Sequence, residues 1–294
     1  MSLPSGISGY ALGTALAGVA AMLFAIGSVV QHHVATRSSS AGTLSWRALF
    51  AHRSWLAAQA ATIAASLAQL AALALAPVSV VQPLLAGVLV IALGIRAVVD
   101  RPWPRPTQVI GAALATGGLG VFLVAARPSQ GSGQVLGVLP AVLVGAVTVL
   151  LVVATGLLAR GRHAALVCGV VDGLALGITA VLASAALDVM QHQGVAATLT
   201  TGSLWAAAAT GAAALYLSQV AFARGPLASS LPAITVVDPV VAVVAASLLL
   251  GEHLSLRGVT VWAPAAVAAG VGVVLLAVTE APPSGADPGD TDAP

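Results

Sequence analysis

Apolar runs of roughly 20 residues recur along nearly the whole chain, and few charged side chains interrupt them. A helix needs roughly 20 such residues to cross the ~30 Å hydrocarbon core of a bilayer. Only 7% of the residues are charged, against about 25% in a soluble domain, so a water-facing surface is excluded. Because the runs are continuous rather than alternating in polarity, helices are favoured over a barrel. The sequence predicts an all-α, polytopic transmembrane helical bundle.

Hydropathy divides the chain into about nine predicted spans and a polar tail. The first run is too long for the apolar core of a secretory signal and should remain in the protein. The tail is rich in Pro, Gly and Asp and is predicted to be disordered. The spans are 7–30, 55–75, 78–98, 107–126, 134–158, 164–187, 203–222, 229–250 and 258–279.

The arginines predict the orientation. An outside N-terminus places nine of the eleven arginines on the cytoplasmic side and leaves Arg127 and Arg257 outside. The positive-inside rule therefore favours a multi-pass protein of the cytoplasmic (inner) membrane, with its N-terminus outside and its C-terminal tail cytoplasmic. Since the arginines stand singly between apolar runs, the pI of 9.3 does not indicate nucleic acid; the expected partner is membrane lipid.

The chain also repeats itself. SVVQP at 79–83 corresponds to TVVDP at 235–239, and thirteen residues past each proline stand Arg96 and Glu252. A second local alignment, which pairs Pro77 and Pro83 with Pro226 and Pro232, matches equally well. Two four-helix halves then flank the fifth span. Because an odd linker helix reverses the second half, the repeats must be inverted, a plan that recurs in secondary transporters.

The predicted organisation has four parts. A first repeat covers 1–133, and the linker span with a cytoplasmic loop covers 134–163. A second, inverted repeat covers 164–280, and the cytoplasmic tail covers 281–294.

Asp238 is the first candidate for chemistry, because a charge inside a span costs about 2.5 to 3.5 kcal/mol on insertion scales. Pro239 removes an amide donor and leaves the Thr235 carbonyl without its helical partner. Thr235 lies three residues before Asp238 and shares its helix face. This group could bind a cation or a protonated amine, or exchange a proton during transport. The alternative is a packing role.

Other polar residues within the spans are weaker candidates. Asp172 lies in a GxxxGxxxG run, 169–177, where small residues let another helix approach closely; its alternative role is an interhelical hydrogen bond. Ser79 and Gln82 form a neutral counterpart of the Asp238 group in the first repeat. Expected walls of a central cavity are Gln69, Tyr216 and Gln219.

Several enzyme classes lack their motifs here. The histidines are scattered without HxxxH or HExxH spacing, and neither a P-loop nor a GxGxxG fingerprint occurs. The single cysteine, Cys168, cannot form an intrachain disulfide. We therefore expect no enzyme, no cofactor and no ATP-driven pump; the identity of any bound metal stays open.

Two stretches resemble one transporter superfamily. TVVDPVVAVVAASLLLGEHL at 235–254 resembles the drug/metabolite transporter superfamily in its EamA-like form, and LALAPVSVVQPLLAGVLV from Leu73 is similar to the NIPA-type magnesium transporter branch. Together the similarities cover most of 10–279. The resemblance implies alternating access through a central cavity without ATP. The chain departs from EamA-like proteins in having nine spans rather than ten, and Arg96 stands where an acidic residue would fall.

These observations predict a secondary transporter of this superfamily that moves a small solute across the cytoplasmic membrane. The alternative within transport is a NIPA-like carrier of magnesium or another divalent cation. The alternative from another class is a membrane scaffold that transports nothing. The sequence leaves open the small-molecule or ion substrate, the direction, the coupling ion and assembly as a homodimer.

Overall fold

A computed structural model describes residues 5–40, 43–76, 78–100, 103–126, 136–251 and 258–279. Within them, eight helices are long and apolar enough to cross a membrane, and large apolar side chains are exposed on their outward faces. The chain is thus a multi-pass helical membrane protein. The helices are α1 (Ser5–Arg37), α3 (Arg53–Leu75), α6 (Pro106–Ala126), α7 (Val138–Leu158), α8 (Ala164–Gln193), α10 (Gly202–Arg224), α11 (Leu227–Leu249) and α12 (Val259–Thr279).

The third predicted span is divided within the structure. It consists of α4 (Val78–Ala86) and α5 (Val88–Asp100), which meet at Gly87. The Gly87 amide donates to the Leu84 carbonyl at 3.1 Å, which closes a turn instead of continuing the helix. Two residues explain the break, since Pro83 lacks an amide donor and Gly87 is a poor helix former.

Short elements cover one end of the bundle. Between α1 and α3 lie a small hairpin, β1 (Ser39–Ser40) with β2 (Thr43–Leu44), and α2 (Trp46–Ala51). The Trp46 ring stacks on Tyr216 of α10 with centroids 5.5 Å apart. This contact places the segment over the ends of α1 and α10. A further short helix, α9 (Val195–Leu199), follows α8.

Glycines allow close packing between α8 and α11, as the sequence predicts. A Cβ atom added to Gly173 would lie 2.9 Å from the Ile234 carbonyl oxygen and 3.1 Å from the Asp238 nitrogen. Gly169 faces Ser230 and Gly177 faces the Asp238 carbonyl in the same way. The two helices run parallel with their backbones in contact, so the prediction of a close helix seam is confirmed.

A second close contact joins α6 to α12. A Cβ atom on Gly118 would lie 2.7 Å from both the Ala265 oxygen and the Ala269 nitrogen, while Gly111 faces Leu276. Because later residues of α6 meet earlier residues of α12, these helices are antiparallel. Within the rest of the bundle, α1 packs on α3, α4 and α5, and α8 packs on α10 and α11.

Arg224 connects the C-terminal end of α10 to α7 and α8. Its Nη2 donates to the Gly156 carbonyl at 2.5 Å, and its Nη1 lies 3.8 Å from the Cys168 sulfur. Gly156 is in the last turn of α7, where carbonyls have no helical partner and a cation is favourable. Cys168 is a buried free thiol, so its contact here is structural.

Two predictions concern residues outside the described ranges. They are the disordered tail at 281–294 and the charge on Glu252, the counterpart of Arg96.

Candidate functional site

A cavity of about 590 Å³ lies inside the bundle. Side chains from α1, α3, α4, α5, α6, α8, α10 and α11 line it, so both predicted halves contribute. Neither α7 nor α12 provides a described lining residue. The cavity therefore lies between the helices that precede α7 and those that follow it.

The α11 wall carries the residue group predicted from the sequence. Thr235, Asp238 and Pro239 all line the cavity, which confirms that Thr235 and Asp238 share one helix face. The Thr235 hydroxyl, however, donates to the Leu231 carbonyl of its own helix at 2.8 Å. Asp238 therefore supplies the acidic residue of the cavity wall, whereas the Thr235 hydroxyl uses its proton in a hydrogen bond within α11.

The α3 wall is a polar stripe that sequence reasoning found only in part. Gln69 lines the cavity as predicted, and Gln59, Thr62 and Ser66 lie beside it. Their spacing of three, four and three residues is that of one helix face. This spacing could have been recognised in the sequence as a polar helix face. Ser28 and Gln31 of α1 extend the same polar surface.

Asp172 lies directly behind the cavity wall. Its side chain is fully buried, and its Oδ2 accepts a hydrogen bond from the Ser218 hydroxyl at 2.5 Å. Ser218 itself lines the cavity. The bond joins α8 to α10, so the packing role foreseen for Asp172 is present. Its Oδ1 is one of the buried side-chain atoms without a hydrogen-bond partner in the described part of the chain.

Gln219 belongs to a chain of hydrogen bonds at one end of the cavity. Trp55 donates to its Oε1 at 2.9 Å, and its Nε2 donates to Gln31 at 2.9 Å. Gln31 in turn donates to the Thr62 hydroxyl at 3.0 Å. These bonds tie α3, α10 and α1 together near the C-terminal ends of α1 and α10. Gln219 is not among the described residues that line the cavity; it holds three helices together beside it. Sequence reasoning did not single out Trp55 or Gln31.

Three further candidates are not among the described residues that line the cavity. Tyr216 does not line the cavity; it packs against Gly156 of α7 and the Trp46 ring. Ser79 and Gln82 belong to α4, but their side chains lie outside the part of the chain that the structure describes.

The chemistry of the lining limits what can bind. Among the described lining residues, Asp238 is the single ionisable side chain and no Arg or Lys occurs. The remaining surface combines the polar stripe with aliphatic side chains and two Phe rings. Across all described residues, no group of three or more His, Cys, Asp or Glu side chains is placed to hold a metal ion. The cavity suits a small neutral or cationic solute.

Comparison with known proteins finds a relative of this chain. The chain is 30% identical over 239 residues to an uncharacterized protein of Corynebacterium glutamicum, and the match covers 79% of this chain and 82% of that protein. No family model matches the chain, and no solved structure matches it.

Proposed function

Because the chain belongs to the same family as the uncharacterized Corynebacterium glutamicum protein, we propose a function from the chemistry of its own cavity. The protein is a secondary transporter of the drug/metabolite superfamily, which moves a small solute across the cytoplasmic membrane by alternating access. The observation that carries this proposal is the central cavity with one carboxyl group, Asp238, on its wall. An ionisable group inside a membrane protein marks a substrate or ion pathway by default.

Helix lengths support two inverted halves joined by α7. Both α3 and α10 have 23 residues, and both α6 and α12 have 21. Residues 78–100 are as long as the 23 residues of α11. Residues 78–100 and α11 each begin directly after a proline, and each contains a second proline six positions after the first. The helix starts therefore favour the register that pairs Pro77 and Pro83 with Pro226 and Pro232.

Contacts between helices support nine crossings. The bond between Gln31 and Gln219 joins the C-terminal ends of α1 and α10, which pack together. These two helices therefore run in the same direction, and an odd number of crossings must separate them. Since α3, α6, α7 and α8 supply four, residues 78–100 supply the fifth. The antiparallel contact of α6 with α12 also fits halves that are inverted.

The orientation can be tested with tags at the N-terminus and after Ala281. We expect the N-terminal tag to react with a membrane-impermeant reagent in intact cells, and the C-terminal tag to react only after permeabilisation. The reason is the excess of arginine at the proposed cytoplasmic ends. Both tags on one side would contradict nine crossings and the inverted repeat.

The solute is proposed to be neutral or cationic, because the described lining has a carboxyl group and no basic side chain. A NIPA-like divalent cation carrier is less well supported. Hard cations prefer several oxygen ligands with more than one carboxylate, and the described cavity wall supplies one. A scaffold without transport activity remains the alternative of another class, and a transport measurement separates the two.

The test is uptake by purified protein in liposomes. The probe is a defined pool of amines, amino acids, sugars, nucleosides, Mg²⁺ and Mn²⁺, and the vesicle contents are analysed by mass spectrometry under an imposed pH gradient. We expect at least one component to accumulate above the level in protein-free liposomes. The blocking variant is Ser66→Phe, which places a ring in the cavity.

The matched control is Leu67→Phe, one residue further along α3, where the side chain is 62% exposed on the outward face. Ser66→Phe should lower uptake to the protein-free level, and Leu67→Phe should leave it unchanged. If the wild-type protein moves no component of the pool, the proposal fails and the scaffold is favoured. Equal loss in both variants would show that transport does not use this cavity.

A further inference from the structure

We propose that Asp172 is a buried proton-binding site, loaded and unloaded from the cavity through the Ser218 hydroxyl. It is separate from Asp238, which faces the solute. The use of this site in transport rests on the proposed function; its existence does not.

The surroundings of Asp172 argue that it holds a proton. Its side chain is fully buried, and α7, α8 and α10, which pack together, share a buried apolar cluster that includes Val152, Ala175 and Leu217. Ser218 donates one hydrogen bond to its Oδ2, while Oδ1 has no partner in the described part of the chain. A buried carboxylate needs several donors or a cation to offset its desolvation. One hydroxyl donor does not offset the desolvation of a carboxylate, so the neutral acid is the stable form of Asp172.

The route to Asp172 passes through Ser218. On the α11 side, the backbones of α8 and α11 touch at Gly169 and Gly173, and even a methyl group would clash there. On the side of α7, Val152 and Cys168 are fully buried. Ser218 both donates a hydrogen bond to the carboxyl group and lines the cavity. Its hydroxyl is therefore the link between the two.

The transfer step balances on these atoms. A hydronium ion in the cavity gives a proton to the Ser218 oxygen, and the hydroxyl proton of Ser218 passes to Oδ2 of Asp172. One O–H bond of hydronium and the original Ser218 O–H bond break, and new O–H bonds form on Ser218 and Asp172. The products are water, an intact serine and a neutral aspartic acid. Unloading is the reverse.

Few ionisable groups surround this site. On the elements packed against α8, they are Asp238 of α11 and Tyr216 and Arg224 of α10, whereas α7 and α9 carry none. On α8 itself, Cys168 lies one turn away. Arg224 is engaged with Gly156 and Cys168.

Asp238 lies next to Asp172 across the contact of α8 and α11, because a Cβ atom on Gly173, the residue after Asp172, would lie 3.1 Å from the Asp238 nitrogen. A charged Asp238 opposes ionisation of Asp172. A cationic solute at Asp238 would cancel that repulsion and let Asp172 release its proton.

The experiment is infrared spectroscopy of the full-length protein in liposomes, which needs no transported solute. A protonated carboxylic acid has a resolved carbonyl stretch, and this band shifts when its proton is exchanged for deuterium. We expect wild type to show the band, Asp172→Asn to lose it, and Asp172→Glu to move it. Asp238→Asn, as a control for assignment, should leave it in place.

The route is tested by the rate of the deuterium shift. Ser218→Ala should slow it by roughly a hundredfold, as expected for loss of one positioned proton carrier, and Ser218→Thr should restore it. Ser247→Ala removes a hydroxyl that does not line the cavity and that donates to the Val244 carbonyl of its own helix, so it should have no effect.

Two results would overturn the proposal. A carboxylic acid spectrum of Asp172→Asn identical to that of wild type, with no band lost, would mean that Asp172 is ionised. An unchanged shift rate in Ser218→Ala would mean that the proton travels elsewhere. A purely structural Ser218 would lower thermal stability without changing the rate. If the band and its exchange behave as expected in a protein that moves no solute, the proton site stands and the transport proposal fails alone.

Discussion

Replacing Asp238 with asparagine is expected to reduce uphill solute uptake in proteoliposomes to the level of protein-free vesicles. Asparagine keeps the shape of the side chain and the proline that follows it, but it cannot exchange a proton or carry a charge. Binding of the solute to detergent-purified protein, measured by thermal shift, should weaken less than uptake does. The measurement is the initial uptake rate of whichever pool component accumulates in wild type, at equal protein recovery.

The pH series decides how Asp238 acts. In wild type the uptake rate should change with pH, and in Asp238→Asn any residual rate should be flat in the same range. A matched control is Asp188→Asn at the far end of α8, whose side chain is 47% exposed; its rate and profile should equal those of wild type. If Asp238→Asn and wild type share one rate and one profile, Asp238 has no coupling role. A packing role would instead lower stability and binding together, with the profile unchanged.

Replacing Gly173 with leucine is expected to abolish recovery of folded protein or to lower its stability by more than about 3 kcal/mol, the upper end for ordinary overpacking. The reason is that the first added carbon already lies 2.9 Å from the Ile234 oxygen and 3.1 Å from the Asp238 nitrogen. These are backbone atoms, so no rotation of a side chain can relieve the clash. The measurement is the monodisperse fraction and the melting temperature in detergent.

The control for this substitution is Gly117→Leu in α6. An added Cβ atom at Gly117 meets no atom within 4 Å, and the position is exposed on the outward face. It tests the general effect of replacing a helical glycine by leucine, which should be small or stabilising. Wild-type recovery and stability of Gly173→Leu would show that α8 and α11 do not pack as described.

Much of the fold could be predicted from the sequence, because in a membrane the length of an apolar run determines the length of a helix. The close approach of α8 and α11 was also predictable, since Gly169, Gly173 and Gly177 repeat at the spacing of one helix face. The break at Gly87 was missed. A hydropathy profile does not show this break, because one glycine among leucines and valines barely changes the mean hydropathy of a sequence window.

The part of the site that depends on one rare residue type could be predicted from the sequence. The part built from several common polar residues was missed. Asp238 stands out because a charge in a span is rare. The stripe of Gln59, Thr62 and Ser66 is made of side chains that are individually common, and only their shared helix face marks them. The bond chain from Trp55 through Gln219 to Gln31 joins residues far apart in sequence. Without the packing of α1 against α10, nothing in the residues themselves reveals it.

The break at Gly87 implies what the opposite conformation looks like. In a transporter built from inverted repeats, each half in one state adopts the shape that its counterpart has in the other. Here residues 78–100 are divided into two helices at Gly87, and α11 is one continuous helix. If the proposed function holds, α4 and α5 should join into one continuous helix in the reverse state, and α11 should bend. Its ladder already lacks two amide donors, at Pro232 and Pro239, so the bend would fall beside Asp238 and turn its carboxyl group toward the other side of the membrane.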